Sequence, residues 1–259
     1  MSGKVGSITT GIITDGLVFN MDAANRASYP KTGNKTFNTI DTAISGTFNA
    51  DAEFDSSTIT PSFAFDGATD YINGTSQEIP NVSGSSAGTW SAWVKWSGST
   101  GSRTGILTMA QPEGYAALGS QWFVASIYKW SNFTRISFTL SNGNAGALDI
   151  SITPGDYGTA LTANVWYNTT FVMDASESGV NRLKGYLNGI YRVNASSDTF
   201  GSNSPQIPRG NNIQLGTYIH PTFNAYMIGN IGPCQIYNRA LSANEVLHNY
   251  NALKGRFGL

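Results

Sequence analysis

The sequence predicts an all-β domain, a sandwich or barrel of short antiparallel strands closed by one C-terminal helix. Three observations carry this reading. Apolar and polar residues alternate in short runs that recur about every ten residues, with turn signals between them. Glycine is abundant, at 29 residues, while charged residues make up only 12% of the chain, against about 25% in an ordinary soluble domain. Helical spacing of apolar residues appears only in the last twenty or so positions.

The elements follow in order. Residues 1–14 are rich in Gly, Ser and Thr and read as an extended N-terminal arm; residues 15–259 form the domain. GLVFNMDAA, from Gly16 to Ala24, is a strand. RASYPKTGNKTFNTID is turn-rich, punctuated by Pro30 and Gly33. In SFAFDGATDYING, Phe63 and Phe65 share a face and Asp66-Gly67 marks a turn. TWSAWVKWSG is the clearest strand: Trp90, Ala92, Val94 and Trp96 point one way, Ser91, Trp93 and Lys95 the other. Short strands follow around residues 105–109, 122–128 and 135–141, then DISITPGDYG and VWYNTTFVMDA. RLKGYLNGIYRV is a hairpin on Asn188-Gly189, the strongest short hairpin signal in the chain. NNIQLGTY and IGPCQIYN complete the strands.

The terminal helix spans about residues 242–253. Ser242 is the N-cap and Glu245, three residues later, completes a capping box, with Leu241 and Val246 as the hydrophobic staple. Val246, Tyr250 and Leu253 form one apolar face, and Gly255 is the expected stop. A helix this short is marginal alone, so it must pack on the sandwich, covering a sheet edge or end.

Composition excludes several classes. The net charge is −1 with no basic cluster, so the electrostatic footprint of a nucleic-acid binder is missing. One cysteine and two histidines leave no internal disulfide, no Cys-based zinc site and little for a His-dependent triad. The N-terminus does not read as a secretory signal and no apolar run is long enough to span a bilayer, so the chain is expected to stay in the cytoplasm where it is made.

The segments LVFNMDAANRASYP, FAFDGATDYI, TWSAWVKW, WYNTTFVMD, LKGYLNG, IQLG and IYNRALSANEVLHNYNALKGRFG fall together in an order that resembles the concanavalin A-like lectin/glucanase jelly roll, in its laminin-G-like form. The resemblance covers nearly everything from Gly16 to Leu259. It implies two antiparallel sheets of about six or seven strands, one concave and one convex. The ending NYNALKGRFG is similar to that of laminin-G-like virion proteins of tailed bacteriophages, especially marine and cyanobacterial ones. That resemblance implies a head-decoration, appendage or fibre protein located in the virion. Its partners would be other virion proteins met through symmetric contacts, in a homo-oligomer anchored by the arm.

Alternation also sorts the faces. Leu183, Gly185, Leu187, Cys234 and Ile236 are expected inward; Lys184, Tyr186, Gln235 and Tyr237 outward. With Trp93 and Lys95, the outward set Trp93, Lys95, Tyr186, Gln235 and Tyr237 is the candidate binding surface. Aromatic rings beside amides suit a sugar ring and its hydroxyls, such as a host-surface glycan. They equally suit a protein interface, or a second small core covered by loops such as Ser97–Thr104. The resemblance implies a structural calcium near Asp22, Asp66 and Asp70, since relatives hold Ca²⁺ by Asp side chains and carbonyls. Alternatively Asp66 caps its own turn and Asp22 bonds the amides of the loop that follows. The superfamily's hydrolases carry a Glu-x-Asp-x-x-Glu strand. No such pattern occurs here, and no G-x-S-x-G elbow or phosphate-binding glycine loop, so the chain is not expected to be an enzyme.

Overall fold

The alternating runs become strands in a computed structural model of the chain. It describes residues 11–49, 52–56, 60–74, 79, 82, 84–97, 103–110, 123–130, 135–142, 146–158, 161–207, 212–220 and 223–259. The strands, in chain order, are β1 (Leu17–Met21), β2 (Lys35–Phe37), β3 (Ser45–Asn49), β4 (Glu53–Asp55), β5 (Ser62–Asp66), β6 (Tyr71–Gly74) and β7 (Ala87–Trp96). Then come β8 (Arg103–Ala110), β9 (Phe123–Trp130), β10 (Arg135–Asn142), β11 (Ala147–Ile152), β12 (Tyr167–Asp174), β13 (Leu183–Leu187) and β14 (Ile190–Asn194). The last are β15 (Ser197–Asp198), β16 (Asn212–Leu215), β17 (Thr217–His220), β18 (Phe223–Tyr226) and β19 (Ile228–Tyr237).

They build two antiparallel sheets. The first runs β14-β13-β12-β7-β19-β5-β4, and β1 continues beside β19 beyond the end of β5. The second runs β15-β11-β10-β9-β8-β16-β6-β3-β2, and β17–β18 form a separate hairpin. This is the expected jelly-roll sandwich with one C-terminal helix. The short strand β2 lies in the stretch read as turns, and β3 and β4 in the stretch after it, to which no element was assigned; runs of three to five residues carry too little alternation to show.

The core lies between the sheets, and the inward residues expected from alternation are there: Trp90, Ala92, Val94, Trp96, Leu183, Leu187, Cys234 and Ile236. Trp90 meets Phe138 of the second sheet at 4.9 Å between ring centroids, and Phe138 stacks on Phe171 at 5.2 Å. Burial pushes the Cys234 thiol well above its ordinary pKa, so it is an inert core residue.

β19 bends between Ile231 and Cys234, where the register on β7 shifts. Pro233 supplies no N–H there, and a bulge is where a strand tolerates that. The hairpin predicted at Asn188-Gly189 forms with both residues left-handed, at φ 54° and 74°, the type I′ geometry.

Candidate functional site

Outward residues of the first sheet were expected to form a docking face for a sugar or a protein, or a second small core, and the face assignments hold: Trp93, Tyr186 and Tyr237 all point away from the main core. They are not exposed. Relative exposure is 1% for Trp93, 4% for Tyr186, 2% for Gln235 and 0% for Tyr237. Of those alternatives the structure forms the second, covered core. Its cover is the terminal helix (Ala243–Lys254), which lies over this face.

Local chemistry places that helix as the sequence indicated. The Ser242 hydroxyl accepts from the Glu245 amide, and the Glu245 carboxylate accepts from the Ser242 amide at 2.8 Å. Arg239 grips the same carboxylate and, with Ser242, holds it down at a pKa of about 2. Leu241 and Val246 pack beside Tyr237, Tyr186 and Val172. Gly255 is not the left-handed stop: it is right-handed and opens a short 3₁₀ turn (Gly255–Phe257), and Gly258 makes the left-handed closure at φ 73°.

That extra turn carries Phe257 onto this face. Its ring stacks on Trp93 at 4.0 Å and meets Trp166 at 4.7 Å, while Tyr250 stacks on Trp93 from the helix at 5.7 Å. Two glycines permit the approach. A Cβ on Gly232 would lie 3.1 Å from the Phe257 ring, and one on Gly189 would lie 2.8 Å from Tyr250. The Trp93 indole N–H finds no acceptor beneath this cover; the stacking must outweigh that lost hydrogen bond. Lys95 sits at the margin, its ammonium 5.4 Å from the Trp166 ring.

The N-terminal segment seals the other flank. Residues 11–14, assigned to the arm by sequence, are tied to the domain: Ile12 and Ile13 pack on the Tyr237 cluster. The Ile13 amide donates to Asn249 Oδ1 at 2.8 Å, and the Tyr237 hydroxyl donates to the Ile13 carbonyl at 3.0 Å. Residues 1–10 lie outside the described residues.

Asp22 and Asp66 are engaged in an ion pair and in hydrogen bonds to backbone amides. Both oxygens of Asp22 are taken by Arg256 at 2.7 Å, and one also accepts the Ala24 amide. Arg256 also bonds the Pro61 carbonyl, and five extended residues, about 16 Å, separate Pro61 from Asp66. Asp22 therefore cannot share an ion with Asp66. Asp66 caps its turn through the Ala68 and Thr69 amides, and Asp70 accepts the Asp66 amide. Those bonds hold the Asp66 carboxyl below its ordinary pKa, opposite to what a general acid needs. Among the described residues no three His, Cys, Asp or Glu side chains converge as metal ligands, and no helix is long and apolar enough to cross a membrane.

One predicted residue does reach open space. Tyr186 lines a cleft of about 360 Å³ beside the helix N-terminus, with Asp174, Asn181, Lys184 and Glu245. The Tyr186 ring is buried and edge-on to Tyr191. No hydrogen bond from a described residue reaches its hydroxyl. Desolvation raises its pKa, with Lys184 opposing, so the hydroxyl stays protonated and free to donate. Around it, Asp174 uses Oδ1 for Ser176, Asn181 uses Oδ1 for Asn194, and Lys184 pairs with Glu177 at 3.1 Å. One Asp174 oxygen, the Asn181 amide N–H groups and the remaining Lys184 protons are thus available. Sequence reasoning missed Asp174 and Asn181, polar residues at a strand end and in a connecting turn.

A second groove, of about 420 Å³, is lined by Tyr29, Lys31, Asn34, Phe48, Glu53 and Phe54. The Tyr29 ring stacks on Phe48 at 5.3 Å and tilts against Phe54 at 5.1 Å, and the Tyr29 hydroxyl donates to the Gly33 carbonyl.

With this geometry in hand, comparison with known proteins gives consistent results. A laminin-G-type family model described as "Concanavalin A-like lectin/glucanases superfamily" matches residues 66–247, well over half of the chain. No curated protein matches the chain in sequence. Among solved structures, the receptor-binding domain of botulinum neurotoxin C/D mosaic serotype superposes with a TM-score of 0.63 at 13% identity, covering 92% of this chain and 52% of that one. The binding domain of botulinum neurotoxin DC in complex with SialylT gives 0.63 at 14%, with 92% and 52% covered. The botulinum neurotoxin serotype D ligand-binding domain in complex with N-acetylneuraminic acid gives 0.62 at 14%, with 92% and 51% covered. The chain thus spans about half the length of these domains, and at such identity the likeness is one of fold.

Proposed function

Because the chain belongs to the concanavalin A-like lectin/glucanases superfamily, we propose that it is a non-enzymatic, lectin-like module that binds a sugar unit of a surface polysaccharide in the cleft at Tyr186. One observation carries this: Tyr186, whose hydroxyl has no partner among the described residues, lines a cleft that also offers a carboxylate, an amide and an ammonium. Among the described residues this hydroxyl is not one of the buried polar atoms left without a partner, so it meets solvent in the cleft, where a ligand hydroxyl can take the place of a water. Donors and acceptors mixed around an aromatic ring are what sugar hydroxyls require. Sialylated ligands in two of the toxin domains of similar fold support a glycan as the class.

The test is a glycan array probed with the full chain, followed by calorimetry on each hit. Tyr186→Phe removes only the hydroxyl and is expected to weaken binding about tenfold, the equivalent of one hydrogen bond of about 1.4 kcal/mol. An array with no hit, or a hit that Tyr186→Phe leaves unchanged, would overturn this reading.

The setting is proposed from the ending NYNALKGRFG, similar to that of phage virion proteins. We infer that the module is displayed on a virion, as a head decoration, appendage or fibre. Immunogold labelling of phage particles with an antibody to the chain tests this; particles without label would refute it.

A further inference from the structure

The segment Gly11–Asp15 is held as a bound peptide would be. Tyr237 and Asn249 are 0% and 7% exposed, and between them they satisfy both backbone groups of Ile13. Asn249 also donates to the Tyr237 hydroxyl at 2.9 Å, so the three groups close one network. His248 Nε2 lies 2.9 Å from the Gly11 carbonyl, and Arg239 holds the Asp15 carbonyl and carboxylate. Ile12 and Ile13 add apolar anchors on the Leu17–Tyr237–Val246 cluster. The clip thus reads backbone and two apolar side chains, the pattern of extended-peptide recognition.

The join between this segment and β1 is slight. A turn closes from the Leu17 amide to the Thr14 carbonyl at 3.1 Å. Its pivot, Gly16, is left-handed at φ 74°, and the neighbouring Asp15 side chain is 85% exposed. We propose that the clip formed by Tyr237 and Asn249 is an exchangeable interface that also takes the residue 11–15 segment of a second copy. Every copy carries the same segment and the same clip, so reciprocal exchange conserves the clip contacts, opens only the turn between Thr14 and Leu17, and satisfies two-fold symmetry. What separates the closed monomer from the exchanged pair is effective concentration. A short tether holds its own segment at about 1 mM, so dilute chains stay closed. Copies crowded into an assembly exchange arms. The inference does not depend on glycan binding.

A paramagnetic experiment tests it with full chains. Gly11→Cys, at a position with open space for a side chain, carries a nitroxide on an unlabelled chain mixed with ¹⁵N-labelled wild-type chain. The amides of His248 and Asn249 in the labelled copy are expected to broaden at about 1 mM, a concentration that matches the tethered segment's own, and not at about 10 μM, well below it. An excess of the peptide GIITDG should remove the broadening, as should Asn249→Ala in the labelled chain. No broadening of these amides at about 1 mM would overturn the proposal, since the labelled copy then never receives its neighbour's arm. Broadening that survives both peptide and Asn249→Ala would also overturn it, by showing contact outside the clip.

Discussion

Phe257→Ala is the most informative test of how the outer face of the first sheet is closed. The ring is 8% exposed, lies nearly parallel to Trp93 at 4.0 Å and meets Trp166 at 4.7 Å. Truncating a buried Phe in a rigid core costs about 3–5 kcal/mol. Here the cluster is a small satellite outside the main core and relaxes more easily, so the lower limit, about 3 kcal/mol, applies. For a domain of this size that lowers the melting temperature by about 6–12 °C. The assay is thermal and urea unfolding by circular dichroism, with tryptophan emission as the local probe. Emission should shift to the red in the folded variant, because Trp93 and Trp166 gain water. Gly232→Ala presses on the same ring from below and should cost about 1 kcal/mol by overpacking. A Phe257→Ala loss below about 0.5 kcal/mol with unchanged emission would refute the reasoning. Trp93 would then return as a docking surface.

Other outcomes follow from single contacts. Asn249→Ala should cost about 1–3 kcal/mol, since it strands the Ile13 amide, and amide exchange at Ile13 should accelerate by at least an order of magnitude. Arg239 and Ser242 lower the Glu245 carboxyl to about 2. Its contribution is therefore complete above the ordinary carboxylate range and is lost as pH falls from about 4.5 toward 2. Glu245→Gln should lower stability by about 1–2 kcal/mol at pH 7, and the gap from wild type should close across that window; a gap constant down to pH 2 would contradict the assignment. Arg256→Ala leaves the mostly buried Asp22 carboxylate unpaired and should cost about 2 kcal/mol. Calcium should leave the wild-type melting temperature unchanged, because Arg256 occupies Asp22; a rise with calcium would contradict this.

Much of the fold is local and therefore legible in sequence. The capping box at Ser242 and Glu245, the Asn188-Gly189 turn and the alternation through Thr89–Trp96 depend on residues a few positions apart, and each forms as read. Which outward face is covered is not local. It depends on Phe257 meeting Trp93 across more than 160 positions, made possible by the bare backbone at Gly232. Alternation tells inside from outside of a sheet but not whether a helix lies over the outside. The ending NYNALKGRFG, which carries the resemblance to virion proteins, supplies Tyr250, Leu253, Arg256 and Phe257 to that closure. It is a packing motif. The cleft at Tyr186 escaped the sequence for the same reason: Asp174 and Asn181 come beside Tyr186 only after β12, β13 and the helix have assembled.

The most direct test of the binding proposal is an amide chemical-shift map of the ¹⁵N-labelled chain titrated with a glycan found on the array. The account predicts shifts confined to residues 172–186 and 240–245, around Tyr186. Shifts confined instead to Tyr29, Phe48 and Phe54 would contradict it and move recognition to the groove between the sheet edges.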